Sequence, residues 1–331
     1  MNYLKQMQTK LSKKRASVEY NGMELVSSLI ILFPDINNYD ELLNKIVEII
    51  KNKVHYESII KFNKYEDFGN YVNDIGKKTI IVNDFINNLR DSIKTFEEFK
   101  PDNIKCIFIS GKTNKHKEIQ DLNIDVNKLE AKGDIYVKFN NDEIVGISIK
   151  QSKQATKSNY SVQKMLGSEE NIILTNVKKQ YLNENGITQF DKNQREIVNA
   201  LFYPQNKNNI YWNSLREMID NKKYEISKKL AEPLFCSNVK YVMYEYDGIH
   251  FVKLNKNLDS SAISFEEHLP YYFDKKGNER KTAKLFYRLI IDQKIYRVEI
   301  RWKGNVYDAS PQFQIHEEDE YKEDKEDLNV L

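Results

Sequence analysis

Cysteine is nearly absent from this 331-residue sequence: Cys106 and Cys236 stand far apart in separate apolar contexts. That excludes a disulfide framework and offers no zinc site. The histidines, His55, His116, His250, His268 and His316, show no metal-ligand spacing and have no cysteine near them. No run of 18 or more apolar residues occurs, so no membrane partner is expected. Met1-Asn2-Tyr3-Leu4-Lys5 lacks a continuous apolar signal segment, and with so little cysteine a cytoplasmic location is expected. Nor does one sign of charge dominate, because the formal net charge is only +2.

That small net charge conceals a split. Between Glu317 and Asp327 eight acids face only Lys322 and Lys325, a segment of net charge −6, which leaves about +8 on the rest of the chain. A basic body with an acidic end permits a polyanionic partner without demanding one, and the end itself reads as a disordered, solubilising tail. Hydrophobic residues make up 40% and aromatic residues 12%, including 21 tyrosines, enough for a substantial core and a contact surface. The length fits one elaborated core or two domains sharing an interface.

A basic stretch, Lys10, Lys13, Lys14 and Arg15, leads into an apolar segment from Leu25 to Phe33. Leu42, Leu43, Ile46, Val47, Ile49 and Ile50 recur at helical spacing and predict an amphipathic helix over 40–53. Ile104 to Ile109 reads as a strand. Asp134 to Phe139 and Ile144 to Lys150 flank the turn signal Asn140-Asn141-Asp142-Glu143 and read as a β-hairpin. Helices are predicted near Ser161, over 191–202, and from Ser214, which has Glu217 at capping-box spacing. Strands return at 241–246, 249–254, 285–291 and 295–303. The order predicts a mixed central sheet flanked by helices, α/β or α+β. The expected divisions are 1–235, a helical region with the catalytic core; 236–316, a strand-rich part suited to DNA contact; and the tail, 317–331.

Hydrolysing a phosphodiester near neutral pH requires a nucleophilic water, charge stabilisation at phosphorus and a metal to hold both. Carboxylate and carbonyl oxygens suit Mg²⁺, and a lysine can orient or deprotonate the water. The hairpin can supply that set. Ser148 and Lys150 are two apart on one strand and face the same side, and Asp134 can approach from across the hairpin.

Gly133-Asp134, 13 residues, then Ser148-Ile149-Lys150 resembles the bipartite motif of PD-(D/E)XK nucleases in its Gly-Asp form. The resemblance covers about residues 130 to 170 and implies a restriction-endonuclease-like core. It implies that Asp134 ligates Mg²⁺, with Mn²⁺ able to substitute, that Ile149 offers its backbone carbonyl, and that Lys150 serves the attacking water. It also places a polar residue, Gln163, near the site from the next helix. The departure is Ser148, where the motif has an acid. Some restriction endonucleases with Ser there recruit a Glu from the following helix, so Glu169 or Glu170 is a candidate second carboxylate; Glu130 is another, and the choice stays open.

Polar residues after the motif lysine, among them Lys153, Lys157 and Asn159, suit a loop beside phosphates and equally a solvated loop. In 295–304, alternation sets Arg297, Glu299, Arg301 and Lys303 opposite Tyr296, Val298, Ile300 and Trp302. The charged face fits phosphates or guanines, or is an ordinary solvated face. The polar segment that follows, with Ser310, Gln312 and Gln314, suits groove contacts. Gly111-Lys112-Thr113 lacks the first glycine of a P-loop, since that position is Cys106, so no nucleotide cofactor is expected. The expected activity is a Mg²⁺-dependent endonuclease on double-stranded DNA, of type II restriction-enzyme character. The family resemblance implies a homodimer if the target is palindromic. A structure-specific or repair nuclease, and a degenerate nucleic-acid-binding protein on the same fold, are the alternatives.

Overall fold

The computed structural model describes residues 20–64, 67–77, 79–110, 116–124, 126, 133–150, 156–189, 191–235, 239–254, 263–274, 276–291 and 294–318. The basic stretch at 10–15, the Gly-Lys-Thr segment, Glu130, Lys153, Cys236 and the tail beyond Glu318 lie outside the described residues. The chain mixes α and β, with eleven α-helices and two sheets among the described residues. It divides into two compact units, Met1–Ala155 with Asn238–Lys256, and Thr156–Ser237 with Asn257–Leu331. No helix among the described residues is long and apolar enough to cross a membrane.

In the first unit, α1 (Gly22–Leu32) is buried along its whole length; its Glu24 is buried with it and accepts the Tyr71 hydroxyl at 3.2 Å. Asn21 caps it by accepting from the Met23 N–H. The amphipathic helix predicted over 40–53 is α2 (Tyr39–Lys51), capped by Asn38 and burying Leu42, Ile46 and Ile49. It is followed by α3 (Lys53–Ile59), β1 (Ile60–Phe62), α4 (Asp67–Lys77) and α5 (Thr79–Ile93). Then come β2 (Ile104–Ile109), α6 (Lys117–Leu122), and the hairpin β3 (Ile135–Phe139) and β4 (Ile144–Ile149). Its turn holds Asp142 at φ 65°, a left-handed position that Asp tolerates better than most residues.

Further along the chain, β6 (Met243–Tyr246) and β7 (Phe251–Lys253) complete the sheet, whose order is β1-β2-β3-β4-β6-β7. The meander β2-β3-β4 is antiparallel, while β1 pairs with β2 and β6 with β4 in parallel. Nearly every residue of β2, β3 and β4 is shielded, so both sheet faces are covered and the strands read as continuous apolar runs.

The second unit opens with β5 (Ser158–Ser161) and continues through α7 (Val162–Leu166), α8 (Ser168–Glu184), α9 (Arg195–Leu201), α10 (Ile210–Asn221) and α11 (Lys223–Phe235). Its sheet adds β8 (Ile263–Glu267), β9 (Lys284–Ile291), β10 (Lys294–Trp302) and β11 (Pro311–Glu317), in the antiparallel order β5-β11-β10-β9-β8. Trp302 on the apolar face meets Phe202 and Tyr211 at 5.3 Å and Trp212 at 5.5 Å between ring centres. Lys178 of α8 is almost wholly buried, and its ammonium donates to the carbonyls of Val306 (3.3 Å), Tyr307 (2.9 Å) and Ala309 (2.8 Å). This ties helix α8 to the turn that leads into β11.

One local expectation is corrected. Helix α10 begins at Ile210, not Ser214, because Asn209 caps it by accepting the Trp212 N–H at 2.9 Å. The polar segment around Gln312 and Gln314 is strand β11: Pro311, Phe313 and Ile315 point inward, and the glutamines alternate outward.

Candidate active site

The first unit brings four of the expected residues together where β3 begins and β4 ends. Gly133 brings the two backbones close. A Cβ there would stand 2.8 Å from the Ile135 carbonyl oxygen and 3.0 Å from backbone atoms of Gly146 and Ile147, so any side chain would force the strands apart. The Asp134 N–H then donates to the Ile147 carbonyl at 2.8 Å. Its side chain turns to the tip of β4, where Oδ2 accepts the Ile149 N–H at 2.7 Å and lies 3.4 Å from the Ser148 hydroxyl. Lys150 stays on the sheet by donating its N–H to the Tyr246 carbonyl at 2.8 Å. Its side chain therefore follows that of Ser148 onto the same face.

Strand β6 adds a residue that sequence reasoning did not select. Ser148 and Glu245 are register partners in the parallel pair β4-β6, so their side chains leave the sheet on one face. The signal was present: Glu245 is the single acid in the strand Met243-Tyr244-Glu245-Tyr246, whose other side chains are buried. A carboxylate in such a strand requires a reason. Ser148 carries no charge, and Glu245 is the acid that stands beside it on the neighbouring strand.

Burial raises the Asp134 carboxyl above the ordinary aspartate value, and Glu245 adds to the rise. The Lys150 ammonium, the Ile149 N–H and the Ser148 hydroxyl all oppose it. Although protein atoms crowd Asp134 closely, part of its side chain remains open to solvent. Among the described residues, Oδ2 takes both of its hydrogen bonds and Oδ1 none.

Asp134, Glu245 and the Ile149 carbonyl lie at one end of the sheet, and all three would offer oxygen donors. No group of three or more His, Cys, Asp or Glu side chains that could hold a metal occurs among the described residues. Mg²⁺ is commonly held by one or two carboxylates, with water and substrate phosphate completing its shell, and the donor set here fits that pattern.

Gln163, Glu169 and Glu170 belong to the second unit. Gln163 is exposed on α7 and donates to the Ser168 hydroxyl at 3.2 Å. Glu169 is exposed in the first turn of α8. Glu170 is ion-paired to Lys222, which holds its carboxyl below the usual glutamate value.

Apart from Lys153, which lies outside the described residues, the residues expected to touch DNA lie on or beside one face of the second sheet. Lys157 pairs with Glu317 at 2.8 Å, and its side chain is only 5% exposed. Asn159 is exposed on the edge strand β5, opposite Gln314. The alternation read from 295–304 is present: Tyr296, Val298, Ile300 and Trp302 are buried, while Arg301 and Lys303 are exposed. Between them Glu299 is buried and draws in Lys284 (2.7 Å), Arg297 (3.3 Å) and Arg301 (3.9 Å).

A cavity of about 540 Å³ opens at the turn end of the hairpin, among Glu98, Asn140, Glu143, Tyr244 and Lys253. It is at the opposite end of β3 and β4 from Asp134. Comparison with models of known protein families, with curated proteins and with solved structures finds no match to this chain.

Proposed function

We propose that this chain is a Mg²⁺-dependent endodeoxyribonuclease with a restriction-endonuclease-like core, cutting double-stranded DNA in the sequence-specific manner of type II restriction enzymes. One observation carries the reading: Asp134, Lys150 and Glu245 share one end of a sheet, with Asp134 fixed by the Ile149 N–H at 2.7 Å and its ionisation favoured by Lys150. An acid pair beside a lysine on a rigid sheet suits hydrolysis of a phosphodiester.

Asp134, Glu245 and the Ile149 carbonyl would hold the metal. When bound there, Mg²⁺ supplies charge stabilisation at the phosphorus centre and lowers the pKa of a coordinated water. Lys150, as an ammonium, orients the attacking water; as that oxygen bonds to phosphorus and gives its proton to solvent, the bond to the leaving oxygen breaks and that oxygen takes a proton from water. Ser148 donates toward Asp134 Oδ2 and positions the carboxylate without taking part in the chemistry. Two such sites in a homodimer would cut both strands of a palindromic target.

The buried Ser148 motivates a second reading, a DNA-binding protein whose nuclease core has lost its acid and its activity. Plasmid and phage DNA incubated with the purified protein, with Mg²⁺, Mn²⁺ or EDTA, separates the readings. Discrete metal-dependent fragments support the restriction-type nuclease, and cutting confined to junctions or flaps selects a structure-specific one. DNA retention without cutting in either metal selects the binding protein.

A further inference from the structure

The second sheet carries cations that the hydrolytic site does not use. A cavity of about 140 Å³ on its polar side is lined by Tyr271, Arg280, Lys284, Phe286, Arg297 and Glu299. Glu299 pairs with Lys284 at 2.7 Å and with Arg297 at 3.3 Å. Arg280 donates from Nε to the Phe273 carbonyl at 2.7 Å and makes no ion pair among the described residues. The lining therefore has three cations against one buried acid. A guanidinium fork beside a hydroxyl and an ammonium is suited to a phosphate.

An anion already reaches this place. The Tyr271 hydroxyl donates to the Glu318 carboxylate, and Arg297 Nη1 is 3.9 Å from the same carboxylate. The preceding residue, Glu317, pairs with Lys157 at 2.8 Å. These two glutamates are the first of the eight acids that run to Asp327. The most acidic segment of the chain thus begins on its cationic sheet face, with a carboxylate on two of the groups that line the cavity.

We propose that Tyr271, Arg280, Lys284 and Arg297 form a binding position for a backbone phosphate of nucleic acid, and that Glu318, at the head of the acidic segment 317–327, occupies it in cis and competes with that phosphate. The inference rests on the nucleic-acid reading above but not on cleavage. DNA binding must displace Glu318, so the segment weakens binding of non-target DNA and releases its hold when enough phosphates engage together.

The test is fluorescence anisotropy of a labelled duplex with full-length Lys150→Ala protein in Ca²⁺, titrated over a range of salt. Adding Glu318→Gln tightens binding about threefold or more, and ending the chain after Glu318 tightens it further. Adding Arg280→Ala, at an exposed side chain, lowers affinity and reduces the slope of log K against log salt by about one. Adding Arg280→Ala and Arg297→Ala to Glu318→Gln removes the gain, with circular dichroism reporting that the fold is kept. Unchanged affinity in Glu318→Gln, a gain that persists without the two arginines, or no duplex binding by any variant overturns the inference. A wild-type protein that fails to cut while Glu318→Gln tightens binding sinks the enzyme reading alone; one that cuts while Glu318→Gln changes nothing sinks this inference alone.

Discussion

The Asp134 carboxylate accepts the backbone N–H of Ile149, fifteen residues further along the chain, at 2.7 Å. This bond locks the tip of β4 to the start of β3 and fixes an acid beside Lys150 before any substrate arrives. It also holds a carboxylate where burial disfavours its charge; on the nuclease reading proposed above, stability and chemistry oppose each other at this residue.

Asp134→Asn is therefore expected to stabilise the protein at neutral pH while abolishing metal-dependent cleavage. Burial, the largest influence, lifts the folded carboxyl above its unfolded value of about 3.9. The folded state binds the proton more tightly, so stability falls as pH rises through the unfolded pKa toward the raised folded one. Asn keeps an acceptor for Ile149 and removes the charge. Thermal melts from acid to neutral pH should show the variant melting higher at pH 7 and the advantage closing in acid; a variant that melts lower at pH 7 contradicts the assignment.

Glu245→Gln tests whether β6 supplies the second carboxylate. The variant keeps size and hydrogen bonding but loses the charge, and the Mg²⁺ concentration for half-maximal cleavage should rise by at least about tenfold. If the metal titration curve is unmoved, the second acid is elsewhere.

Ser148 makes a long contact with Asp134, 3.4 Å, against about 2.7–2.8 Å for a typical hydroxyl bond. Ser148→Ala should cost about 1 kcal/mol or less in stability, and cleavage should stay within about tenfold of wild type. Loss of cleavage as complete as in Asp134→Asn would give the serine a chemical role denied to it here.

Lys178→Met leaves the carbonyls of Val306, Tyr307 and Ala309 without their shared donor. The expected loss of stability is about 2–3 kcal/mol, read from urea unfolding midpoints, with cleavage retained well below the melting temperature. An unchanged midpoint would mean that water replaces the ammonium without cost.

The hairpin was legible because two mostly apolar runs, from Ile135 and from Ile144, flank the polar turn at Asn140 to Glu143. Glu245 was not legible as a partner, since its meaning depends on β6 lying parallel to β4, a pairing between strands far apart in sequence. Strands β5 and β11 were hidden for another reason. Asn159 and Ser161, like Gln312, Gln314 and His316, are polar residues on one partly open face, and a strand with a polar outer face reads as a loop unless its inward residues are weighed. The start of α10 was missed because Asn209 was not weighed as a cap.

The most direct test of the central claim compares wild type with Lys150→Ala on phage DNA in Mg²⁺ and in EDTA, under single-turnover conditions. The account predicts discrete fragments from wild type in Mg²⁺ alone, and a rate reduced by about 10²–10⁴ in the variant. Cleavage by Lys150→Ala at the wild-type rate would contradict it.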